Sequence, residues 1–190
     1  MQQTLLDIDL RTLNLKHPPL LNKDDHSKYV NDWRGQYKGQ AAAILKPINK
    51  DEVSAILRFA HKNNVDVVPQ GGNTSLCGAA TPDNSGRSII ISLEKMNNVR
   101  QFNKAAQTIT VESGMVLSQI HEIVENENLF FPLSLGAKGS CMIGGNLSTN
   151  AGGVNVLKYG NTRELCLGLE AVSYTHLRAH ETEADLVCRL

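Results

Sequence analysis

The placement of glycine constrains this chain more than any other feature. Of its 15 glycines, ten fall in two stretches: Gly71, Gly72 and Gly78 in one, and seven between Gly136 and Gly160 in the other. Clusters of this kind mark backbone that takes a positive φ or lets a ligand approach closely. Both carry Asn, Ser and Thr and lie between apolar, patterned segments. They therefore read as site-bearing loops on a rigid scaffold rather than as flexible surface.

The flanking segments predict the scaffold. Ala41-Ala42-Ala43-Ile44-Leu45 is a short apolar run ended by Pro47 and reads as a strand. Asn49 is a helix cap followed by acids at 51 and 52, and Val53, Ile56, Leu57 and Ala60 form one apolar face. That helix should stop near Asn63-Asn64. Val65 to Val68 is the next strand, leaving into Pro69-Gln70-Gly71-Gly72-Asn73-Thr74, so the order strand, helix, strand makes a small α/β unit. Ser88 to Ser92 is a β-branched strand, Met96 to Phe102 leads toward another, and Thr108 to Glu112 alternates with Ile109 and Val111 on one side. Val116, Leu117, Ile120, Ile123 and Val124 mark a second amphipathic helix, with His121 beside its stripe as a partly exposed helix residue. Gly136 to Gly153 reads as one long loop, and Leu165 to Val172 as a last strand. Residues 1–31 read as a lead-in with one short helix, broken at His17-Pro18-Pro19.

Consecutive small residues expose backbone N–H groups, and several converging N–H groups make an anion-binding concavity. A diphosphate is the guest that two such loops suit, with Asn, Ser and Thr adding neutral hydrogen bonds. No G-x-G-x-x-G follows a first strand and no G-x-x-x-x-G-K-[ST] occurs, so neither a Rossmann dinucleotide unit nor a P-loop is supported. Spacing alone stops at a phosphate-bearing ligand in an α/β domain.

Charge excludes other classes. The 19 basic residues balance 19 acidic ones, which removes the electrostatic case for nucleic acid or an anionic membrane surface. No apolar run is long enough to span a bilayer, and the first residues lack the pattern of a secretory signal. Cys77, Cys141, Cys166 and Cys188 form no close pair, which predicts reduced thiols and a cytoplasmic location.

Pro69 through Thr74 resembles the first cofactor loop of the PCMH-type (vanillyl-alcohol-oxidase-type) FAD-binding flavoproteins. Leu135-Gly136-Ala137-Lys138-Gly139-Ser140, Ile143-Gly144-Gly145-Asn146 and Thr149-Asn150-Ala151-Gly152-Gly153 resemble their second. Asp32-Trp33 with Tyr37-Lys38-Gly39, and Tyr159-Gly160 with Gly168-Leu169-Glu170, are also similar. Within that group the likeness is strongest to the D-2-hydroxyglutarate, D-lactate and glycolate dehydrogenases. The resemblance implies an α+β fold, a PCMH-type FAD-binding domain of two α/β subdomains that is incomplete at the C-terminus. It implies FAD held by Pro69, Gln70, Gly71, Gly72, Asn73 and Thr74 in the first loop. In the second it implies Leu135, Gly136, Gly139, Ser140, Gly144, Gly145, Asn146, Thr149 and Gly152. The first loop lacks the His through which some relatives attach FAD, so the cofactor is expected to be non-covalent. Cys77 and Cys141 are expected as small packing residues, Arg163 and Lys158 as surface charge, and Lys138 either near the diphosphate or solvated.

The implied reaction is oxidation of a D-2-hydroxyacid to the 2-oxoacid, with the hydride passing to FAD and an electron acceptor following. Catalytic groups and a divalent metal are expected only in a C-terminal half that such proteins carry. Alternatives are a sugar or alcohol oxidase or an enolpyruvyl reductase of the same fold, or a nucleotide-binding fragment with no activity of its own. The FAD domain is expected over 32–172. Residues 173–190 have another look: Val172 to Thr182 resembles the translation of a transposase-type sequencing adapter, and Asp185 to Leu190 the flow-cell sequence that follows it after an index-length interval. His176, His180, Glu181 and Cys188 are therefore expected to carry no function, and the tail to leave an unpaired sheet edge. Resequencing the locus should read a frame that continues past Val172 into a His-containing half. A genuine stop after Leu190 would sink this expectation.

Overall fold

Strand β3 (Ile89–Ser92) lies between β1 (Ala43–Leu45) and β2 (Val67–Gln70) in a three-stranded parallel sheet of order β1-β3-β2. The protein is described here by a computed structural model covering residues 10–172 and 186–189. Ile44, Ile90 and Val68 are register partners across the sheet. Every residue of β3 is buried, as a central parallel strand covered on both faces requires, and this is why it reads as an unbroken Ile run. Successive residues face opposite sides. Ala43, Leu45, Ile89 and Ile91 pack with Ile56 and Ala60 of the long helix, whereas Ile44 and Ile90 pack with Tyr29 and Val30.

Helix α1 (Ser27–Val30) brings Tyr29 and Val30 to that second face. The long helix, α2 (Lys50–Lys62), starts where the cap predicts it: Asn49 Oδ1 accepts the Glu52 N–H at 2.9 Å. The Glu52 carboxylate accepts the Lys16 and Ile48 N–H groups at 3.0 Å each, which fastens the lead-in to the helix start. The helix ends at Asn63, and Asn64 takes φ 50° in the left-handed region that closes helices.

β2 corrects the sequence reading. It runs two residues later than Val65–Val68, so Pro69 and Gln70 belong to the strand and not to the loop after it. A proline is tolerated because β2 pairs only with β3 and lies at the sheet edge, where a ladder donor is dispensable.

The chain divides into two compact units, the second comprising Met96–Ala171 together with the strand at 186–189. It holds a four-stranded antiparallel sheet of order β4-β5-β7-β6, from β4 (Val99–Asn103), β5 (Thr108–Val111), β6 (Cys166–Gly168) and β7 (Leu186–Arg189). Ile109 and Val111 are buried as their alternation predicts, against Leu117, Ile120 and Val124 of α3 (Leu117–Glu125). The buried Glu112 carboxylate accepts the Asn98 backbone and side-chain N–H groups at 2.8 Å each and pairs with Arg100, fixing the entry to the sheet. β6 is much shorter than the strand expected over 165–172.

Two further expectations are overturned in this unit. The segment from Gly136 to Gly153 is not all loop: Ile143–Ser148 is a helix, α4, whose Ile143 reaches the core. Two adjacent glycines hide that helix from a propensity reading, and tertiary packing of Ile143 overrides it. The tail strand is not the unpaired edge expected of it: among the described residues β7 bonds to both β5 and β6, and the edges of this sheet are β4 and β6. Sheet pairing uses backbone groups that every residue except proline carries, so Leu-Val-Cys-Arg suits a ladder whatever its origin. His176, His180 and Glu181 lie outside the described residues. A last short helix, α5, spans Val156–Tyr159.

Removing the β3 core side chain with Ile90→Ala should cost about 2–5 kcal/mol, and uncapping α2 with Asn49→Ala about 1 kcal/mol. Denaturant melts followed by far-ultraviolet circular dichroism check both, and equal effects would contradict this division of core and cap.

Candidate functional site

The first glycine loop leaves β2 at Gln70, which is 2% exposed. Its Nε2 donates to the backbone oxygens of Tyr29 at 2.8 Å and Ala80 at 2.7 Å, so one buried amide ties the lead-in, the strand end and the far side of the loop. Asn73 takes φ 52° and its Nδ2 donates to the Asn31 oxygen at 2.7 Å. Neither Gly71 nor Gly72 has a positive φ; in this loop the left-handed residues are Asn73 and Gly78. Among the described residues no group accepts a hydrogen bond from the backbone N–H of Gly71, Gly72, Asn73 or Thr74. Among the described residues four successive donors are thus unpaired and open to solvent or a ligand.

A turn over residues 32–37 shapes this loop from behind. The Asp32 carboxylate, 1% exposed, accepts the Tyr37 N–H at 2.7 Å and the Arg34 N–H at 3.3 Å, closing a tight turn. The Tyr37 N–H foremost, with those of Arg34 and Gln36, holds the Asp32 carboxyl below the usual carboxylate range. From that turn Arg34 reaches the Leu76 oxygen. Tyr37 lies against Gly78, where an added Cβ would stand 2.6 Å from the ring at a φ of 68°, so only glycine fits. Asp32, Arg34 and Tyr37 therefore support the first glycine loop from one turn.

In the second unit the long segment is fastened at several points. Val154 N–H donates to the Ser134 oxygen at 3.1 Å and Asn155 Nδ2 to the Pro132 oxygen at 3.0 Å. Gly153 has φ 87°, and a Cβ there would stand 2.1 Å from the Ser134 oxygen. Thr162, buried, returns both its N–H and its hydroxyl to the Ala151 oxygen, and the Arg163 N–H donates to Asn150 Oδ1. Gly144 packs against Ser113, and Gly152 against Asn161. Asn146 is buried with its amide toward Cys141 Sγ at 3.5 Å. Thr149 donates its hydroxyl to the Gly145 oxygen at 2.9 Å. Leu135 is half-buried, whereas Gly136, Gly139 and Ser140 are exposed.

Three glycines remain without an internal reason. A Cβ at Gly136, Gly139 or Gly145 would meet nothing within 4 Å, and none of the three has a positive φ. Glycine in a helix costs about 1 kcal/mol relative to alanine, and Gly145 lies in one. The N–H groups of Gly136, Ala137 and Gly139 find no acceptor among the described residues either. Open Cβ positions beside unpaired donors fit a polyanionic guest that comes close to the backbone.

Other candidates resolve differently. Cys141 packs in the core as expected, and burial pushes its thiol up. Cys77 does not pack: it is exposed, and the Ser75 hydroxyl 3.1 Å away pulls its thiol below the ordinary value. The turn at Ser75 bends it outward, which a count of residue size could not foresee. His121 is half-buried, with Nε2 2.8 Å from the Leu133 oxygen. Arg163 lies on the surface over the Ser148 oxygen, and Lys158 over the Tyr159 ring. Lys138 is exposed.

Each unit thus carries one glycine loop with unpaired backbone donors, one after a parallel strand and one around a short helix, and such donors suit a phosphate-bearing ligand. The chain belongs to the FAD binding domain family, whose profile matches residues 41–175. It is 40% identical over 161 residues to the D-2-hydroxyglutarate dehydrogenase of Xanthomonas citri pv. viticola, covering 85% of this chain and 33% of that protein. It is 42% identical over 163 residues to the mitochondrial D-2-hydroxyglutarate dehydrogenase of Bos taurus, covering 82% and 30%. The chain thus spans about a third of the length of these curated relatives. Among solved structures, an alkyldihydroxyacetonephosphate synthase superposes with a TM-score of 0.80 at 21% identity, over 91% of this chain and 37% of that one. The 6-hydroxy-D-nicotine oxidase of Arthrobacter nicotinovorans gives 0.73 at 20%, over 93% and 36%. These likenesses establish the fold.

The glycine classes predict opposite outcomes. Gly153→Ala should destabilise the chain by more than about 2 kcal/mol, through strain and collision. Gly145→Ala should keep or raise stability by about 0.5–1 kcal/mol yet weaken FAD binding. Thermal melts and FAD titration of both variants check this; native affinity in Gly145→Ala would remove the cofactor from that space.

Proposed function

We propose that this chain is the FAD-binding portion of a flavin-dependent oxidoreductase that converts a D-2-hydroxyacid of the 2-hydroxyglutarate, lactate or glycolate type to its 2-oxoacid. The observation that carries the cofactor assignment is the run of unpaired N–H groups at Gly71, Gly72, Asn73 and Thr74, matched by those at Gly136, Ala137 and Gly139. These donors would hold the FAD diphosphate, each as a charge-assisted hydrogen bond. Ser140 adds a hydroxyl, as does Thr149 through the lone pairs of an oxygen whose proton goes to the Gly145 oxygen. Gly136, Gly139 and Gly145 keep side chains away from the cofactor, while Gly144 and Gly152 let the segment close on Ser113 and Asn161. Pro69, Gln70 and Asn146 shape the loops from below, Gln70 through its two carbonyl bonds. When bound, FAD supplies a two-electron acceptor for the hydride that leaves the substrate α-carbon.

The substrate class rests on the relatives named D-2-hydroxyglutarate dehydrogenase, with identities of 40% and 42%. We place the catalytic groups, the divalent metal and the electron-acceptor contact outside this chain. Among its described residues no cluster of three or more His, Cys, Asp or Glu is disposed to hold a metal ion. The proposed organisation is a lead-in over 1–31, the FAD domain over 32–172 and an adapter-derived tail over 173–190. Among the described residues no helix is long and apolar enough to cross a membrane. The free described cysteines suit the reducing cytoplasm, and relatives named as mitochondrial make the organelle the competing location.

FAD bound to the expressed chain should give a yellow protein that releases its flavin on denaturation, because the first loop offers no His for attachment. Colour that stays with the precipitate would refute the non-covalent cofactor. In the protein restored to the length of its relatives, D-2-hydroxyglutarate or D-lactate should bleach the flavin and the L forms should not; bleaching by both would refute the substrate class.

A further inference from the structure

Arg34 is not part of either glycine loop, yet it bridges the turn at 32–37 to the first of them. Its guanidinium donates to the Leu76 oxygen through Nη2, while its Nε lies 3.9 Å from Asp32 Oδ2. The Arg34 side chain is 31% exposed, whereas the Asp32 carboxylate that orients it is 1% exposed and already bonded to two backbone N–H groups. The anchor is thus rigid and the arm lies at the surface. Leu76 lies two residues beyond the segment Gly71 to Thr74, whose donors have no described acceptor. Between Leu76 and the other tether, Asn73 to the Asn31 oxygen, the loop has only the short contacts around Ser75. Small residues give this stretch little packing of its own, so its course depends on what grips its two ends.

From this geometry we infer that Arg34, oriented by Asp32, is a positioning residue for the diphosphate loop: by gripping the Leu76 carbonyl it presets the four free N–H groups in the arrangement the cofactor needs. The inference rests on the FAD reading above. A guanidinium suits the task because its planar fork can serve a carboxylate and a carbonyl at once, which an ammonium cannot do in a fixed geometry. Preorganisation of this kind raises affinity by removing an ordering cost from the binding step, without adding a contact to the ligand.

The test uses the 190-residue chain and three variants: Arg34→Met, Arg34→Lys, and Arg58→Met as a control. Arg58 bonds Ser54 within α2 and has no part in the loop. FAD affinity is measured by titration, stability by melting without cofactor, and loop order by hydrogen exchange with and without FAD. Arg34→Met should bind FAD about 10–100-fold more weakly, the equivalent of one charge-assisted hydrogen bond, while its cofactor-free melt moves by less than about 2 °C. Arg34→Lys should recover only part of the affinity, and Arg58→Met should match the native chain. FAD should protect amides 71–75 in the native chain and much less in Arg34→Met, with protection at 136–145 retained. Native affinity in Arg34→Met would overturn the proposal. A loss that comes with an equal fall in the cofactor-free melt and equal loss of protection at 136–145 would also overturn it. Failure of the native chain to bind FAD would instead overturn the cofactor reading, and the proposal with it.

Discussion

A loop with almost no side chains cannot hold its own shape, and the buried amide of Gln70 answers that constraint in the first unit. Its Nε2 joins the Tyr29 and Ala80 oxygens, so the end of β2, the lead-in and the return of the loop meet at one nitrogen. A buried amide hydrogen left unpaired costs about 1–3 kcal/mol, which makes this junction strongly preferred over any that releases one carbonyl. Everything proposed for the first loop depends on it, because the donors at 71–74 form a site only if their backbone has one course.

The same problem is solved differently in the second unit. There the long glycine-bearing segment is held by backbone pairs, Val154 to Ser134 and Thr162 to Ala151, and by the close approach of Gly153 to Ser134. The short helix α4 interrupts it and sends Ile143 into the core. In this unit Gly144, Gly152, Gly153 and Gly160 each have neighbouring protein atoms where a Cβ would go. Three others, Gly136, Gly139 and Gly145, face open space. That split separates glycines that build the loop from glycines that make room for a guest.

Much of the scaffold was legible in the residues alone. The Asn49 cap, the stop at Asn63-Asn64, the Ile run of β3 and the alternation of Ile109 and Val111 each follow from local chemistry, and each appears in place. The misreadings share one cause. Pro69 looked like a loop residue because proline breaks ladders, but an edge strand tolerates it. Ile143-Gly144-Gly145-Asn146 looked like loop because glycine disfavours helix, but burial of Ile143 decides otherwise. Cys77 looked like a packing residue because it is small, but its turn points it to solvent. In each case a preference worth about 1 kcal/mol or less gave way to position in the fold.

The sequence by itself determined that two glycine clusters sit beside patterned segments, and that their small residues leave the backbone accessible to a ligand. Those are consequences of composition and spacing, which act locally. Only the tertiary structure decided which glycines have no internal reason to be glycine, and which residues hold the loops still. It also turned Asp32, Arg34 and Tyr37 into one support behind the first loop. Those residues lie some 40 positions from the segment they grip, and no local pattern carries a contact that only folding creates.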